Sequence, residues 1–321
     1  MGSFRFKQFE VVQNFSAMKV NTDAVLLGAW MSVPGGETAG EVGMADDAAA
    51  TPVDDASLTG KTDSSILRAL DIGTGTGVIA LMAGQRLAEE GVSAHIDAVE
   101  IDEDACQDAA ANFNAAPWNG ISFGLHNVPL QEFSGSGAAA GTAGAAGYDL
   151  IFSNPPYFIA SLKNDSQAKT TARHTDTLSQ RELLFYSTPL LKEGGTLAII
   201  LPVVEGEELL RKVEFMADAA VAAARVAVTA KVAADVAVTA AAEAGSRTGQ
   251  LALFPSRICY VHTVERKPAK RLMLEFVKCA PSNRPAMRRE QLIMMSGGAN
   301  TPEYAELVGE FYLRSQIVTS Y

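Results

Sequence analysis

Residues 66–87 constrain the fold most tightly. Ile66 to Ile72 reads as a strand. Asp71-Ile-Gly-Thr-Gly-Thr-Gly77 follows directly, and Val78 to Leu87 carries apolar residues at helical spacing. This is a strand, a glycine loop and a helix. Gly73, Gly75 and Gly77 let the backbone pass close to a ligand and let the helix pack onto a sheet. The loop is Gly-x-Gly-x-Gly behind an acidic residue, with Thr74 inside it, and differs from the Gly-x-Gly-x-x-Gly dinucleotide fingerprint. A second strand, Ala94 to Ile101, closes on Glu100-Ile101-Asp102. An acidic residue at that place can hold the two hydroxyls of a ribose; a plain surface carboxylate is the alternative reading of Glu100. Asp102 is placed to cap the helix Glu103 to Phe113.

The alternation continues. Ile121 to His126 is a third strand, and the loop Asn127 to Glu132 after it would flank an adenine ring if one is bound. Tyr148 to Phe152 and Thr196 to Leu201 are the fourth and fifth strands. Ser179 caps a helix to Leu191, with Glu182 at the box position, and a further helix covers Glu205 to Phe215. Arg257 to Val264 and Arg271 to Val277 form an antiparallel hairpin at a sheet edge, and Pro302 to Leu313 is a terminal helix. Phe4 to Val12 alternates weakly, as a strand pair or arm. Five strand–helix alternations and a hairpin predict a doubly wound α/β fold, with residues 1–321 as one domain. Three low-complexity insertions interrupt it near 31–66, 134–147 and 217–249; the last is alanine-rich and reads as an insertion or an extended helix.

The chemistry is expected on Asp149-Leu-Ile-Phe-Ser-Asn-Pro-Pro-Tyr157. The fourth strand ends in a stiff loop, because each proline forces an extended conformation on the residue before it. Ligands of an open α/β sheet sit at the carboxyl ends of its strands. Asn154 offers a side-chain carbonyl, Pro155 a main-chain carbonyl and Tyr157 a flat face. Two acceptors and an aromatic plate suit a planar group bearing an NH2. Taken alone, the tetrapeptide reads equally well as a Pro-Pro loop with an Asn cap. Near the amino terminus, Asn21, Thr22 or Asp23 caps a helix with Val25, Leu26 and Trp30 on its apolar face. The exposed N–H groups and hydroxyls there either cap the helix alone or also bind a carboxylate.

Composition excludes several classes. Residues 219–242 are the longest apolar region, but Arg225, Lys231 and Asp235 interrupt them, so a membrane span is not expected. The opening residues are too charged and too short for a cleavable signal peptide. Cys106, Cys259 and Cys279 lack metal-ligand spacing and are odd in number, which reads as reduced thiols in a cytoplasmic protein. The scattered histidines suggest no metal site. Net charge is −11. It is unevenly spread: residues 31–66 hold seven acids against Lys61, whereas residues 257–289 hold nine basic residues against Glu265 and Glu275. A basic carboxyl-terminal region on an acidic chain is a candidate phosphate-backbone footprint, the alternative being a solvated face.

Three stretches in order, Asp71 to Gly77, Val99-Glu-Ile-Asp102 and Asn154-Pro-Pro-Tyr157, resemble class I S-adenosylmethionine-dependent methyltransferases of the amino-methylating branch. Phe6-Lys-Gln-Phe9, Met18-Lys-Val-Asn-Thr-Asp23, Leu26-Leu-Gly-Ala-Trp30 and Ala172-Arg-His174 narrow the resemblance, as do Lys270-Arg271 and Phe311-Tyr-Leu313. Together they are similar to the bacterial tRNA1(Val) (adenine(37)-N6)-methyltransferase family. The resemblance covers most of the chain outside the insertions. It implies a Rossmann-like fold with a seven-stranded, mostly parallel sheet and a terminal antiparallel hairpin. It implies S-adenosyl-L-methionine as cofactor and tRNA as partner. The cofactor would be held by Asp71, Gly73, Thr74, Gly75, Gly77, Glu100, Ile101 and Asn127. Lys19, Asn21, Thr22, Asp23 and Asn154 would lie near its methionine end. Asn154 and Pro155 would hold the target amine, with Tyr157 stacked on the base. Arg173, His174, Lys267, Lys270 and Arg271 would face the tRNA. One departure stands out: the Asp that many relatives place after the third strand to accept the cofactor's adenine amine aligns with Pro129, and Asn127 or a backbone group would replace it.

Other readings share parts of this pattern. A protein glutamine-N5 methyltransferase also handles a planar amide, but usually carries a helical domain ahead of the motif near Lys19. A DNA adenine methyltransferase would bring a target-recognition domain, and none of the insertions looks structured enough. A catalytically silent cofactor- or RNA-binding module would have no need of the intact Asn154 to Tyr157 loop.

Overall fold

The computed structural model describes residues 2–35, 66–135, 147–155, 178–237 and 251–319. The expected insertions fall largely outside these residues, as do Tyr157, Arg173 and His174.

The sheet is built outward from β3 (Leu67–Ile72), a strand buried on both faces. Its neighbours β4 (Ala94–Val99) and β6 (Tyr148–Ser153) both run parallel to it. Beyond β4 lies β5 (Ile121–His126), and beyond β6 lies β7 (Leu191–Pro202), again parallel. Then β9 (Arg271–Cys279) pairs antiparallel with β7, and β8 (Ala252–Val264) pairs antiparallel with β9. These seven strands are the expected sheet with its terminal hairpin. Two more extend it: β10 (Arg288–Ser296), parallel to β8, and β11 (Ala299–Asn300). The spatial order is β11-β10-β8-β9-β7-β6-β3-β4-β5. The chain runs from β3 out through β4 to β5 and then returns to the other side of β3. Such a reversal opens a crevice outside the carboxyl ends of the strands.

Alternate residues of β3 feed two cores. Leu67 and Ala69 join one with α1 (Thr22–Trp30), α2 (Val78–Glu89) and α7 (Pro302–Val308). Leu70 and Ile72 join the other with α4 (Leu130–Gly135), α5 (Gln180–Leu190) and the first turns of α6 (Val203–Ala237). The period of two on a central strand therefore makes a three-layer α/β/α sandwich. The helix expected to end near Phe215 continues to Ala237 through alanine-rich sequence, as the strongest helix former allows. At the amino terminus, β1 (Ser3–Arg5) and β2 (Glu10–Val12) form a small hairpin. Phe6 at its turn packs on Phe9 and Tyr312, which joins the two ends of the chain.

A buried carboxylate ties the parallel half of the sheet together. Asp97 on β4 accepts from Arg68 of β3 at 2.9 Å and from the Tyr148 hydroxyl of β6 at 2.8 Å. His126 of β5 lies 2.7 Å from it and His95 3.3 Å. Burial alone would raise the carboxyl pKa, but the hydrogen bonds from His95, His126, Tyr148 and Arg68 outweigh it and hold Asp97 well below the usual range. Gly124 leaves room for this group: a Cβ there would stand 2.7 Å from the Asp97 carboxylate. The cysteines are free and buried, and burial pushes the Cys106 thiol up to about 11 and that of Cys259 to about 12. They act as small packing groups. No helix among the described residues is long and apolar enough to cross a membrane.

Candidate active site

A cleft of about 300 Å³ opens at the carboxyl ends of β3, β4 and β6. Its floor is the glycine loop. Gly73, Gly75 and Gly77 take φ of 72°, 56° and 83°, left-handed values that disfavour any side chain. The three differ in what lies beyond the Cα. A Cβ at Gly73 or Gly75 would meet nothing within 4 Å, so these two present bare backbone to the cleft. At Gly77 it would stand 2.6 Å from the Phe113 ring of α3 (Glu103–Asn114), so there the glycine permits helix packing. The loop is anchored to β4 by the amides of Gly73 and Thr74, which donate to the Val99 carbonyl at 2.8 and 3.2 Å.

Glu100 lines one side of the cleft. Its carboxylate accepts from the amide of Gly75 at 2.9 Å, Ile101 at 2.8 Å and Asp102 at 3.0 Å. It is therefore fixed across the gap between the glycine loop and the start of α3, and is not a loose surface acid. Asp102 also lines the cleft while capping α3 through the Asp104 and Ala105 amides. Ile101, 49% exposed, offers an apolar face beside Ala105, Pro129 and Leu130. Opposite, Ser153 seals β6 to β3 by donating to the Ile72 carbonyl at 2.8 Å, and Asn154 and Pro155 follow it into the cleft.

Asp71 stands behind the loop, fully buried. The Thr74 hydroxyl donates to its Oδ2 at 2.7 Å, while its Oδ1 has no hydrogen-bond partner among the described residues. Burial raises its pKa to about 7, opposed by the Thr74 bond and reinforced by the negative charge of Glu100. A buried, half-satisfied carboxylate behind a ligand loop is a place where a cation is favoured.

Of the residues singled out in the sequence, Gly73, Gly75, Glu100, Ile101, Asn154 and Pro155 are brought together around the cleft. Asp71, Thr74 and Gly77 support it from behind. The amino-terminal group turns elsewhere. Lys19 donates to the carbonyls of Gln13 at 2.6 Å and Ser16 at 2.9 Å. Asn21 caps α1 through the Ala24 amide, and Asp23 pairs with Arg271 at 2.7 Å. Thr22 is the exposed first residue of that helix. The cleft is lined instead by Ser16, Ala17 and Met18, just upstream of Lys19. Asn127 donates to the Glu100 carbonyl at 2.9 Å, outside the cleft, and Gln131 lies in the wall near it. Sequence reasoning missed Ser16, Ala17, Met18 and Leu178 as lining residues, whereas Gln131 lies in the loop expected to flank an adenine ring. The only signal for the first three was their adjacency to the Lys19 motif.

The basic carboxyl-terminal residues divide. Because Pro202 at the carboxyl end of β7 pairs with Arg271, the β8–β9 connection projects from the cleft edge of the sheet. It carries the exposed Arg266, Lys267 and Lys270. Arg257 is instead engaged with Glu290 at 2.8 Å and stacks over Trp30, and Lys278 donates to the Leu191 carbonyl. Arg288 and Arg289 open β10, in register with Arg257 and Ile258 of β8.

Residues 56–224 match the family model described as methyltransferase small domain. A tRNA1(Val) (adenine(37)-N6)-methyltransferase of Tolumonas auensis is 34% identical over 97% of this chain and 97% of its own length. That of Trichodesmium erythraeum is 32% identical over 97% and 98%, and that of Parabacteroides distasonis 38% over 64% and 69%. Among solved structures, one described as a predicted O-methyltransferase from Agrobacterium tumefaciens is 15% identical, covering 90% of this chain and 96% of its own, with a TM-score of 0.49. A family-model match over more than half of the chain, and relatives of this likeness along nearly its full length, place these motifs in one lineage: the chain belongs to the tRNA1(Val) (adenine(37)-N6)-methyltransferase family.

Proposed function

We propose that this chain transfers a methyl group from S-adenosylmethionine to the exocyclic N6 amine of adenine 37 in tRNA1(Val), with residues 1–321 acting as one domain. The observation that carries this reading is the meeting of bare glycine backbone, the Glu100 carboxylate and the Asn154–Pro155 acceptors at one cleft. The residues fit the cofactor. Gly73 and Gly75 admit close approach of a ligand to the loop. Glu100 uses three backbone amides to fix its orientation and keeps acceptor capacity for ribose hydroxyls. Ile101, Ala105, Pro129 and Leu130 would cover an aromatic ring and exclude water. Asp71, buried behind the loop, adds negative charge that would favour a cationic ligand. When bound, S-adenosylmethionine supplies an electrophilic methyl on a positively charged sulfur.

The adenine amine is a weak nucleophile because its lone pair is delocalised into the ring. Asn154 Oδ1 and the Pro155 carbonyl accept hydrogen bonds from its two N–H groups, which favours a tetrahedral nitrogen and stabilises the positive charge growing on it. The cleft then contributes mainly by holding amine and methyl in line. No strong base is required, since the methylated amine is acidic once formed. To reach the cleft the base leaves its stack in the RNA loop. Tyr157 as the stacking plate, and Arg173 and His174 as RNA contacts, belong to the same proposal. Asn154→Ala should lower kcat by about 10²-fold or more, by analogy with loss of a transition-state hydrogen bond. Cofactor affinity, read by calorimetry, should change only slightly. Equal losses in both would remove Asn154 from the amine-binding role.

A further inference from the structure

The wall of the cleft formed by Ser16, Ala17 and Met18 belongs to no regular element, yet it is held at many points. Asp108 of α3, 1% exposed, accepts three consecutive amides: Asn14 on Oδ1 at 3.0 Å, Phe15 on Oδ2 at 2.9 Å and Ser16 on Oδ2 at 2.8 Å. One turn on, Asn112, 2% exposed, accepts the Val12 amide at 2.7 Å and donates to the Val12 carbonyl at 2.9 Å. The Asn112 amide also donates to the Thr76 carbonyl of the glycine loop at 2.8 Å. Lys19 closes the segment from its far end through the Gln13 and Ser16 carbonyls. Two buried polar side chains, i and i+4 on one helix, thus satisfy backbone groups of the amino-terminal segment and of the glycine loop.

We propose that Asp108 and Asn112 are positioning residues for the cofactor. They hold residues 12–18 in fixed register with the glycine loop, so that the cleft is formed before the ligand arrives. A carboxylate is needed at 108 because three N–H groups converge on it; an amide would turn a donor toward at least one of them. An amide is needed at 112 because it must both accept from and donate to the backbone. The cost of losing either falls on binding: a loosened wall must be ordered when the cofactor enters. Neither side chain touches the reacting atoms, so the saturated rate should be little affected.

This inference rests on the cleft being the cofactor site, and the test separates the two. S-adenosylhomocysteine is titrated calorimetrically into wild type, Asp108→Asn and the control Asp104→Asn, whose side chain lies exposed on the same helix. Asp108→Asn should bind at least tenfold more weakly and raise KM for the cofactor with kcat within about twofold, while melting cooperatively; the control should match wild type. Wild-type binding with Asp108→Asn within twofold of it would overturn the positioning role and leave the cofactor site standing. No binding to wild type would overturn both. Should the variant fail to fold, hydrogen exchange on wild type decides. The amides of Asn14, Phe15 and Ser16 should be protected equally with and without ligand. Free exchange that becomes protected only on binding would overturn the preformed wall.

Discussion

Asp71 holds a conflict that the free protein does not resolve. Its carboxyl sits in the sheet behind the glycine loop, with Oδ2 accepting from Thr74 and Oδ1 making no hydrogen bond of ordinary length among the described residues. Burial first, and the charge of Glu100 with it, lifts its pKa from 3.8 to about 7. Between these two values the folded state keeps a proton that the unfolded state has lost, so stability falls as pH rises through that window and levels off above it. Asp71→Asn removes the titration and keeps an acceptor for Thr74. Denaturant unfolding of the free protein from pH 4 to pH 8 should therefore show a flatter profile for the variant. At pH 8 the variant should be more stable by on the order of 2–4 kcal/mol. Parallel profiles for the two proteins would contradict this account of the group. The acidic residue before the glycines was legible in the sequence, but its burial was not, because only the pairing of β3 with β4 and β6 shuts it away from water.

The elements that carry the cleft were legible because each announces itself locally. The strand, glycine loop and helix of 66–87, the acidic end of β4 and the Asn-Pro-Pro end of β6 need no distant partner to be recognised. The structure adds what depends on distant partners. The wall of Ser16 to Met18 is anchored where the Asn14, Phe15 and Ser16 amides meet Asp108, 92 residues away from Ser16. The strand β10 begins Arg288-Arg-Glu-Gln and is half exposed, so its hydrophobic period is weak and its parallel pairing to β8 invisible in the sequence. The basic region read as one footprint separates once strands are in register: among its described residues, the β8–β9 connection brings exposed cations to the cleft edge. We infer that Lys267 and Lys270 there contact tRNA phosphates. Lys267→Gln with Lys270→Gln should weaken tRNA binding. It should also lower the slope of log affinity against log salt by about 2, near one per lost phosphate contact, with S-adenosylhomocysteine affinity unchanged. An unaltered salt slope would move the footprint elsewhere.

At the scale of the whole molecule, an acidic chain with a net charge of −11 meets a polyanionic partner. The arrangement is coherent if attraction is local and chemistry, not bulk charge, selects the substrate. Cleft, hairpin tip and amino-terminal wall share one edge of the sheet, while the Asp97 hub and the joined chain ends fix the sheet beneath them. The central claim is the identity of the acceptor. Purified protein is incubated with methyl-labelled S-adenosylmethionine and either total tRNA lacking the modification or release factors, and the RNA is digested to nucleosides. The account predicts label in N6-methyladenosine from tRNA and none in the release factors. Label in release-factor glutamine, or no label in tRNA from a protein that still binds the cofactor, would contradict it.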